Sequence, residues 1–372
     1  MKGFIRHLDN YSKSQFTERD YTTLLHDINT NYIHCKVGPH VKYTTVLPKK
    51  TVETPKFTKT IQVDIQSLYD LIELIDNNPI ESQYEYNIDL QTLHNIRPEL
   101  HAIHSMVGLE SLKQSIIDQL LYFIQNLHKG VESDFKHTIL LGPPGTGKTE
   151  VAKMMGKMYS KIGVLHNAVF KKVTRGDLVA GYLGQTAIKT QKVIESCLGG
   201  VLFLDEAYSL GDPTDMFAKE CVDTLCEALS DQKENLMVII AGYEDALKYG
   251  FFGMNPGLES RFLWRFSMDP YTPDELKQIF MKKVEENIWT FENPNDITVS
   301  WFEKRKDKFK QFGRDMESLF TYTKIAHGRR IYGNPIENRK KITIEDLEKG
   351  FQIFLKHKDK KKAESVLFTM YS

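Results

Sequence analysis

The chain has 372 residues, of which 41% are hydrophobic and 26% charged; this excludes a disordered composition and leaves room for two domains of ordinary size. Its 49 basic and 49 acidic side chains cancel, so no global field draws in nucleic acid or an anionic membrane, and such a partner must meet a local patch. The opening MKGFIRHLDNYSKSQ has no apolar run of signal-peptide length, and no later stretch approaches ~18 uncharged apolar residues, which predicts a cytoplasmic or nuclear address without a membrane segment.

Residues 1–60 are polar and punctuated by Pro39, Pro48 and Pro55, which predicts a mobile extension ending in an extended linker. Over 61–98 a short alternation (Ile61, Val63, Ile65) reads as a strand, and Leu68, Leu71, Ile72 and Ile75 follow at helical spacing, together a small accessory α/β unit. From Met106 a helical stripe runs through Leu109, Leu112, Ile116, Leu120, Phe123 and Leu127, closing near Gly130. Four apolar runs, 137–141, 168–173, 201–205 and 236–241, alternate with helix-patterned segments in the manner of a parallel sheet covered on both faces. These belong to an α/β domain over 99–270. At Thr272, with Pro273 next and Glu275 three residues on, a capping box opens an all-helical domain over 271–360, with a basic tail over 361–372. Lys324, Arg329 and Arg330 read as exposed. Cys35, Cys197, Cys221 and Cys226 have neither zinc-site spacing nor disulfide-scaffold density and read as reduced, mostly buried thiols. His101 and His104 have no acidic or thiol partners at ligand spacing and read as surface or packing residues.

GPPGTGKT, residues 142–149, carries the chemistry. Its glycines let backbone N–H groups turn inward around phosphates at the entry of a helix whose N-terminal partial charge favours anions. Gly142, Pro143, Pro144, Gly145, Thr146, Gly147, Lys148, Thr149 and Glu150 therefore form the expected nucleotide cradle. Lys148 neutralises the β- and γ-phosphates and Thr149 offers a hydroxyl to Mg²⁺. In VLFLDEA, Asp205 ends a buried strand and is expected to hold the Mg²⁺ shell, while Glu206 orients and deprotonates the attacking water.

MVGLESLK, GPPGTGKT, TRGDLVAGYLGQTAIKT, GGVLFLDEAYSL, VIIAGYEDAL and NPGLESRF together resemble the AAA+ ATPases of the CbbX/CfxQ group, which includes the red-type Rubisco activases and is similar to stage V sporulation protein K. The likeness runs from about residue 100 to about residue 330. It implies a P-loop AAA+ module, a parallel sheet flanked by helices, followed by a small helical lid, with the N-terminal extension outside the likeness. It also implies ATP and Mg²⁺ as cofactors, assembly into a ring of about six copies, and the remodelling of a protein substrate through the central pore. The resemblance places Val107 and Gly108 beside the nucleotide. Tyr182, Leu183 and Gly184 fall where such motors carry a pore loop, and an exposed aromatic beside flexible glycine can grip an extended chain without reading its sequence. Arg261 matches the arginine inserted into the neighbouring subunit's site, with Arg265 as competitor, and Arg314 matches a lid arginine that senses the phosphates.

Two departures stand out. AGY (241–243) replaces the polar Thr-Asn pair of many relatives, leaving Tyr243 or Asn255 as sources of the first sensor contact. Ile188 follows QTA where the Rubisco activases commonly have proline, and this, with the long N-terminal extension, weakens transfer of their substrate and leaves a Rubisco activase proper as a minority reading. A nucleic-acid loader or helicase-like factor is the rival reading, kept open by Lys171, Lys172 and Arg175 around the pore loop. A nucleotide-gated assembly scaffold is the third.

Overall fold

In the computed structural model of the chain, residues 57–182, 184–333, 335 and 339–360 are described in full, and 33–37, 41–45 and 361–371 by their backbone. The chain divides into two compact units, the first comprising residues 1–59 and 81–85, the second the remainder. In the first unit, β1 (Ile33–Val37) and β2 (Val41–Thr45) pair antiparallel with Cys35 opposite Tyr43. The rest of the predicted extension before Phe57 lies outside the described residues. β3 (Phe57–Lys59) belongs to the same unit, and the Phe57 N–H donates to the Gln83 carbonyl at 2.9 Å just before β4 (Tyr84–Tyr86) begins.

The second unit is built on five parallel strands in the order β6-β7-β8-β5-β9. They are β5 (Thr138–Leu141), β6 (Phe170–Val173), β7 (Val201–Leu204), β8 (Met237–Gly242) and β9 (Trp264–Ser267). Successive residues of a strand point to opposite faces, and here both faces are buried. Val201 and Phe203 join one hydrophobic cluster while Leu202 and Leu204 join the other, and Ile239 and Ile240 divide the same way. That double burial explains why these strands read as continuous apolar runs. The sequence pattern does not mark β9, because WRFS carries an exposed Arg265 and, among the described residues, pairs with β5 alone at the edge of the sheet.

The first cluster extends well beyond the sheet. α1 (Leu68–Asn77) and α2 (Leu90–His104) contribute Leu71, Ile75, Ile96 and Leu100 to the same core as α3 (Glu110–Ile124) and the C-terminal helices. Ser67 caps α1 in a reciprocal box with Asp70. The expected strand at Ile61–Ile65 does not form. Instead the side chain of Asn87 occupies the backbone groups of Ile61, accepting from its N–H at 2.7 Å and donating to its carbonyl at 3.0 Å. In α3, Leu112, Ile116 and Leu120 are fully buried, each stabilising the fold by about 1.5–3 kcal/mol. The helix stops at Ile124, and Asn126 takes a left-handed conformation, so Leu127 leaves the expected stripe and is 60% exposed.

The C-terminal part opens with α8 (Pro273–Glu286), whose Thr272–Glu275 capping box is present as expected. Helices α4 to α7 of the sheet region are α4 (Lys148–Lys161), α5 (Arg175–Leu178), α6 (Thr186–Glu195) and α7 (Met216–Asp231). Beyond α8 the chain is not wholly helical, since β10 (Thr290–Phe291) and β11 (Lys341–Ile342) form a short parallel pair. Residues 301–312 are not one continuous helix but α9 (Val299–Glu303) followed by a single 3-10 turn at Lys306–Lys308. α10 (Phe312–Ile331) then packs against α11 (Ile344–Tyr371). Arg330 is not simply exposed as its sequence context implied. Its guanidinium binds both oxygens of the fully buried Asp346 at 2.9 Å, and His327 meets the same carboxylate at 2.9 Å. Burial alone would raise the Asp346 carboxyl, but hydrogen bonds from Arg330, His327 and the Thr343 N–H hold it down to about 2.

Candidate functional site: a cleft between the phosphate loop and the helical lid

β5 delivers the chain to the phosphate loop, where Gly142 donates its N–H to the Gly242 carbonyl at 3.1 Å. Thr146 Oγ1 closes the loop on the Pro143 carbonyl at 2.9 Å, and Gly147 leads into α4. Gly145 has φ +81°, and a Cβ there would lie 1.9 Å from the carbonyl oxygen of Gln311, so only glycine fits against the lid. Lys148 Nζ donates to the carbonyls of Gly142 and Pro143 at 2.8 and 2.7 Å. Burial pushes its ammonium below the ordinary lysine value, while Asp205 acts the other way and Arg314 adds to the lowering. Thr149 and Glu150 line the same cleft, Glu150 pairing with Lys153 at 2.9 Å.

β7 brings Asp205 and Glu206 to the opposite wall. The Asp205 N–H donates to the Val173 carbonyl at 3.1 Å, and its carboxylate meets Lys172 Nζ at 2.6 Å. Glu206 has φ +54°, a conformation that costs a non-glycine residue about 1–3 kcal/mol and is held here by the surrounding turn. Tyr208 lies beside it with its ring centroid 6.0 Å from that of Tyr243. Burial, and then the Glu206 charge, raise the Tyr208 phenol above its ordinary value.

The lid closes the third side. Gly313, at the start of α10, donates to the Gly145 carbonyl at 3.0 Å, and Tyr271 Oη donates to the Thr146 carbonyl at 3.0 Å. Arg314 therefore lines the cleft together with Lys148, Asp205 and Glu206, around a volume of about 720 Å³. Val107 lines it from the preceding segment, while Gly108 packs instead on Glu275, whose carboxyl oxygen lies 2.0 Å from where a Cβ would be. Pro143 shapes the loop through its carbonyl and is not among the lining residues.

Residues 138–261 match the family of ATPases associated with various cellular activities. A putative cfxQ-like protein of Acanthamoeba polyphaga mimivirus is 36% identical over 342 residues, which span 91% of this chain and 82% of that protein. The chain belongs to the CfxQ-like AAA+ ATPases. Stage V sporulation protein K of Bacillus subtilis is 33% identical over 67% of this chain and 77% of its own length. The CfxQ homolog of Pyropia yezoensis is 32% identical over 74% of this chain and 92% of its own. The crystal structure of the FIGL-1 AAA domain in complex with ADP shares the fold, with a TM-score of 0.50 and 18% identity over 67% of this chain and 83% of that one. As a member of this family the chain binds ATP and is an ATP hydrolase.

In this CfxQ-like ATPase several expected site residues stand away from the cleft. Arg261 is not among its lining residues; its Nε donates to Ser230 Oγ at 2.7 Å and its Nη1 to the Gly257 carbonyl. Its competitor Arg265 pairs with Glu259 at 2.6 Å. Of the two first-sensor candidates, Tyr243 lines the cleft, whereas Asn255 is engaged with Asp223 and the Gly257 N–H, both at 2.9 Å. Tyr182 is 74% exposed, and among the described residues no atom beyond the chain neighbours lies within 4 Å of a Cβ built on Gly181 or Gly184. Leu183 lies outside the described residues. The three cations that kept a nucleic-acid pore open are engaged within the chain: Lys171 with Ser196 Oγ at 2.9 Å, Lys172 with Asp205, and Arg175 with Asp215. The Lys172 contact has no signature in the sequence, because it arises from the parallel register that sets Lys172 opposite Phe203, two residues before Asp205. Among the described residues no helix is long and apolar enough to cross a membrane.

Proposed function

We propose that the protein is a cytoplasmic motor that assembles as a ring, of about six copies, and uses ATP hydrolysis to remodel a protein substrate threaded past Tyr182. The observation that carries the protein-substrate reading is that aromatic side chain, 74% exposed between two glycines with open space around them. The internal pairing of Lys171, Lys172 and Arg175 favours a polypeptide over a nucleic acid as the occupant of the pore.

In the cleft the phosphate loop presents its backbone N–H groups to the phosphates, and Lys148 turns from the loop carbonyls to the β- and γ-oxygens. Thr149 and Asp205 contribute a hydroxyl and a carboxylate to the same cleft, hard oxygen donors that fit Mg²⁺. When bound, that ion neutralises charge on the phosphates. Glu206, held in its left-handed turn, orients the attacking water and takes its proton. Arg314 reaches the phosphates from the lid, and the Gly313–Gly145 and Tyr271–Thr146 hydrogen bonds tie lid position to the shape of the loop. Arg261, standing apart from the cleft of its own chain, serves the site of a neighbouring copy.

The test is ATP turnover with a permanently unfolded polypeptide as probe. Turnover rises several-fold with the probe, and the rise disappears in Tyr182→Ala. A rate that responds to single-stranded DNA or RNA and ignores the polypeptide contradicts the proposal.

A further inference from the structure

The ion pair between Lys172 and Asp205 joins a strand of the sheet to the cleft. Lys172 lies on β6, which among the described residues is the edge strand of the sheet and pairs with β7 alone. Its ammonium meets Asp205 Oδ2 at 2.6 Å, with the lysine side chain 45% exposed and the aspartate 23% exposed. Two residues later Thr174 caps α5, the turn through which the chain leaves the sheet toward Tyr182. A half-exposed lysine can release a carboxylate into water at small cost, because ion pairs open to solvent contribute little. A divalent cation on the same carboxylate places a second positive charge beside the ammonium and repels it.

We propose that Lys172 is a positioning residue that competes with a divalent cation for the Asp205 carboxylate. The inference rests on the reading of Asp205 as a cation-holding residue. While Lys172 holds Asp205, only a fraction of molecules offers the carboxylate to the ion, and apparent cation affinity falls by that fraction. Lys172 thereby sets the concentration of ion needed to load the nucleotide.

The experiment measures Mn²⁺ binding to the full chain saturated with ADP, followed by electron paramagnetic resonance, in the wild type, Lys172→Met, Lys172→Arg and Asp205→Asn. In Lys172→Met the half-saturating Mn²⁺ concentration drops roughly two- to fivefold, the range set by a half-exposed ion pair. In Lys172→Arg it stays near the wild-type value, and in Asp205→Asn it rises. If Asp205→Asn weakens binding while Lys172→Met leaves it unchanged or weaker, the competition is overturned and the role of Asp205 survives. If Asp205→Asn binds Mn²⁺ as well as the wild type, the reading of Asp205 itself fails. Equal melting temperatures of the lysine variants and wild type establish that any shift is local.

Discussion

The N–H of Gly313, in the first turn of the lid helix α10, donates to the carbonyl of Gly145 in the phosphate loop at 3.0 Å. A single backbone hydrogen bond thus joins the segment that cradles phosphate to the helix that carries Arg314. Gly145→Ala should disrupt both partners, since its φ of +81° disfavours a side chain and the new methyl would collide with the Gln311 carbonyl. A loss of at least about tenfold in affinity for a fluorescent ATP analogue is expected, which corresponds to ~1.4 kcal/mol. Unchanged affinity would show that the lid docks independently of the loop.

Lys148 and Glu206 should separate binding from chemistry. Lys148→Ala removes charge-assisted hydrogen bonds to phosphate and should weaken ATP binding roughly 10- to 100-fold. Glu206→Gln should bind ATP with near wild-type affinity and lose turnover by about 10²- to 10⁴-fold. Equal loss of binding in the two variants, measured by nucleotide titration beside a turnover assay, contradicts the division of roles.

Arg261 is held by Ser230 and Gly257 of its own chain and lies apart from its own cleft. Arg261→Ala should cut turnover by about 10³-fold, the scale of an arginine delivered in trans. Mixing it with subunits that keep Arg261 but carry Lys148→Ala should restore turnover, because each supplies what the other lacks. Mixtures no more active than either variant alone argue against action between subunits.

Much of this site was legible in the sequence for a local reason. GPPGTGKT and LDEA are continuous stretches whose local pattern marks a turn at the end of a strand, and the structure brings Lys148, Thr149, Asp205 and Glu206 to one cleft. The Lys172–Asp205 pair was not legible, since it depends on strand register across the sheet. β9 escaped because an edge strand with a solvent-facing Arg265 lacks the continuous apolar pattern of its inner neighbours. Arg330 looked like an ordinary helix-end cation until α11 placed Asp346 beneath it.

That buried carboxylate makes Arg330 a stability determinant of the lid. Arg330→Ala leaves Asp346, fully buried, without its bidentate partner, and should destabilise the lid by about 3 kcal/mol. Differential scanning calorimetry checks this, and a melting temperature within a degree of wild type contradicts it.

His137 gives the fold a pH limit. It is completely buried, accepts the Val238 N–H at its Nδ1 at 3.1 Å and donates from Nε2 to the Leu229 carbonyl at 3.0 Å. Burial pushes its imidazole from 6.5 down to about 4. The unfolded chain takes up a proton below pH 6.5 while the native chain does not until about pH 4, so the stability is fully present above 6.5 and is lost as pH falls. Urea unfolding should show about 2 kcal/mol less stability from this residue at pH 5 than at pH 7, and His137→Gln should flatten that part of the profile. An identical pH profile in the variant contradicts the assignment.

The central claim, that ATP drives a ring to grip polypeptide at Tyr182, is tested most directly by trapping. Glu206→Gln protein is held in ATP with a labelled unfolded polypeptide and sized by gel filtration with light scattering. The account predicts a ring-sized species that carries the label, and loss of the label but not of the ring in Glu206→Gln/Tyr182→Ala. A chain that stays monomeric in ATP, or a label retained equally by the double variant, would contradict it.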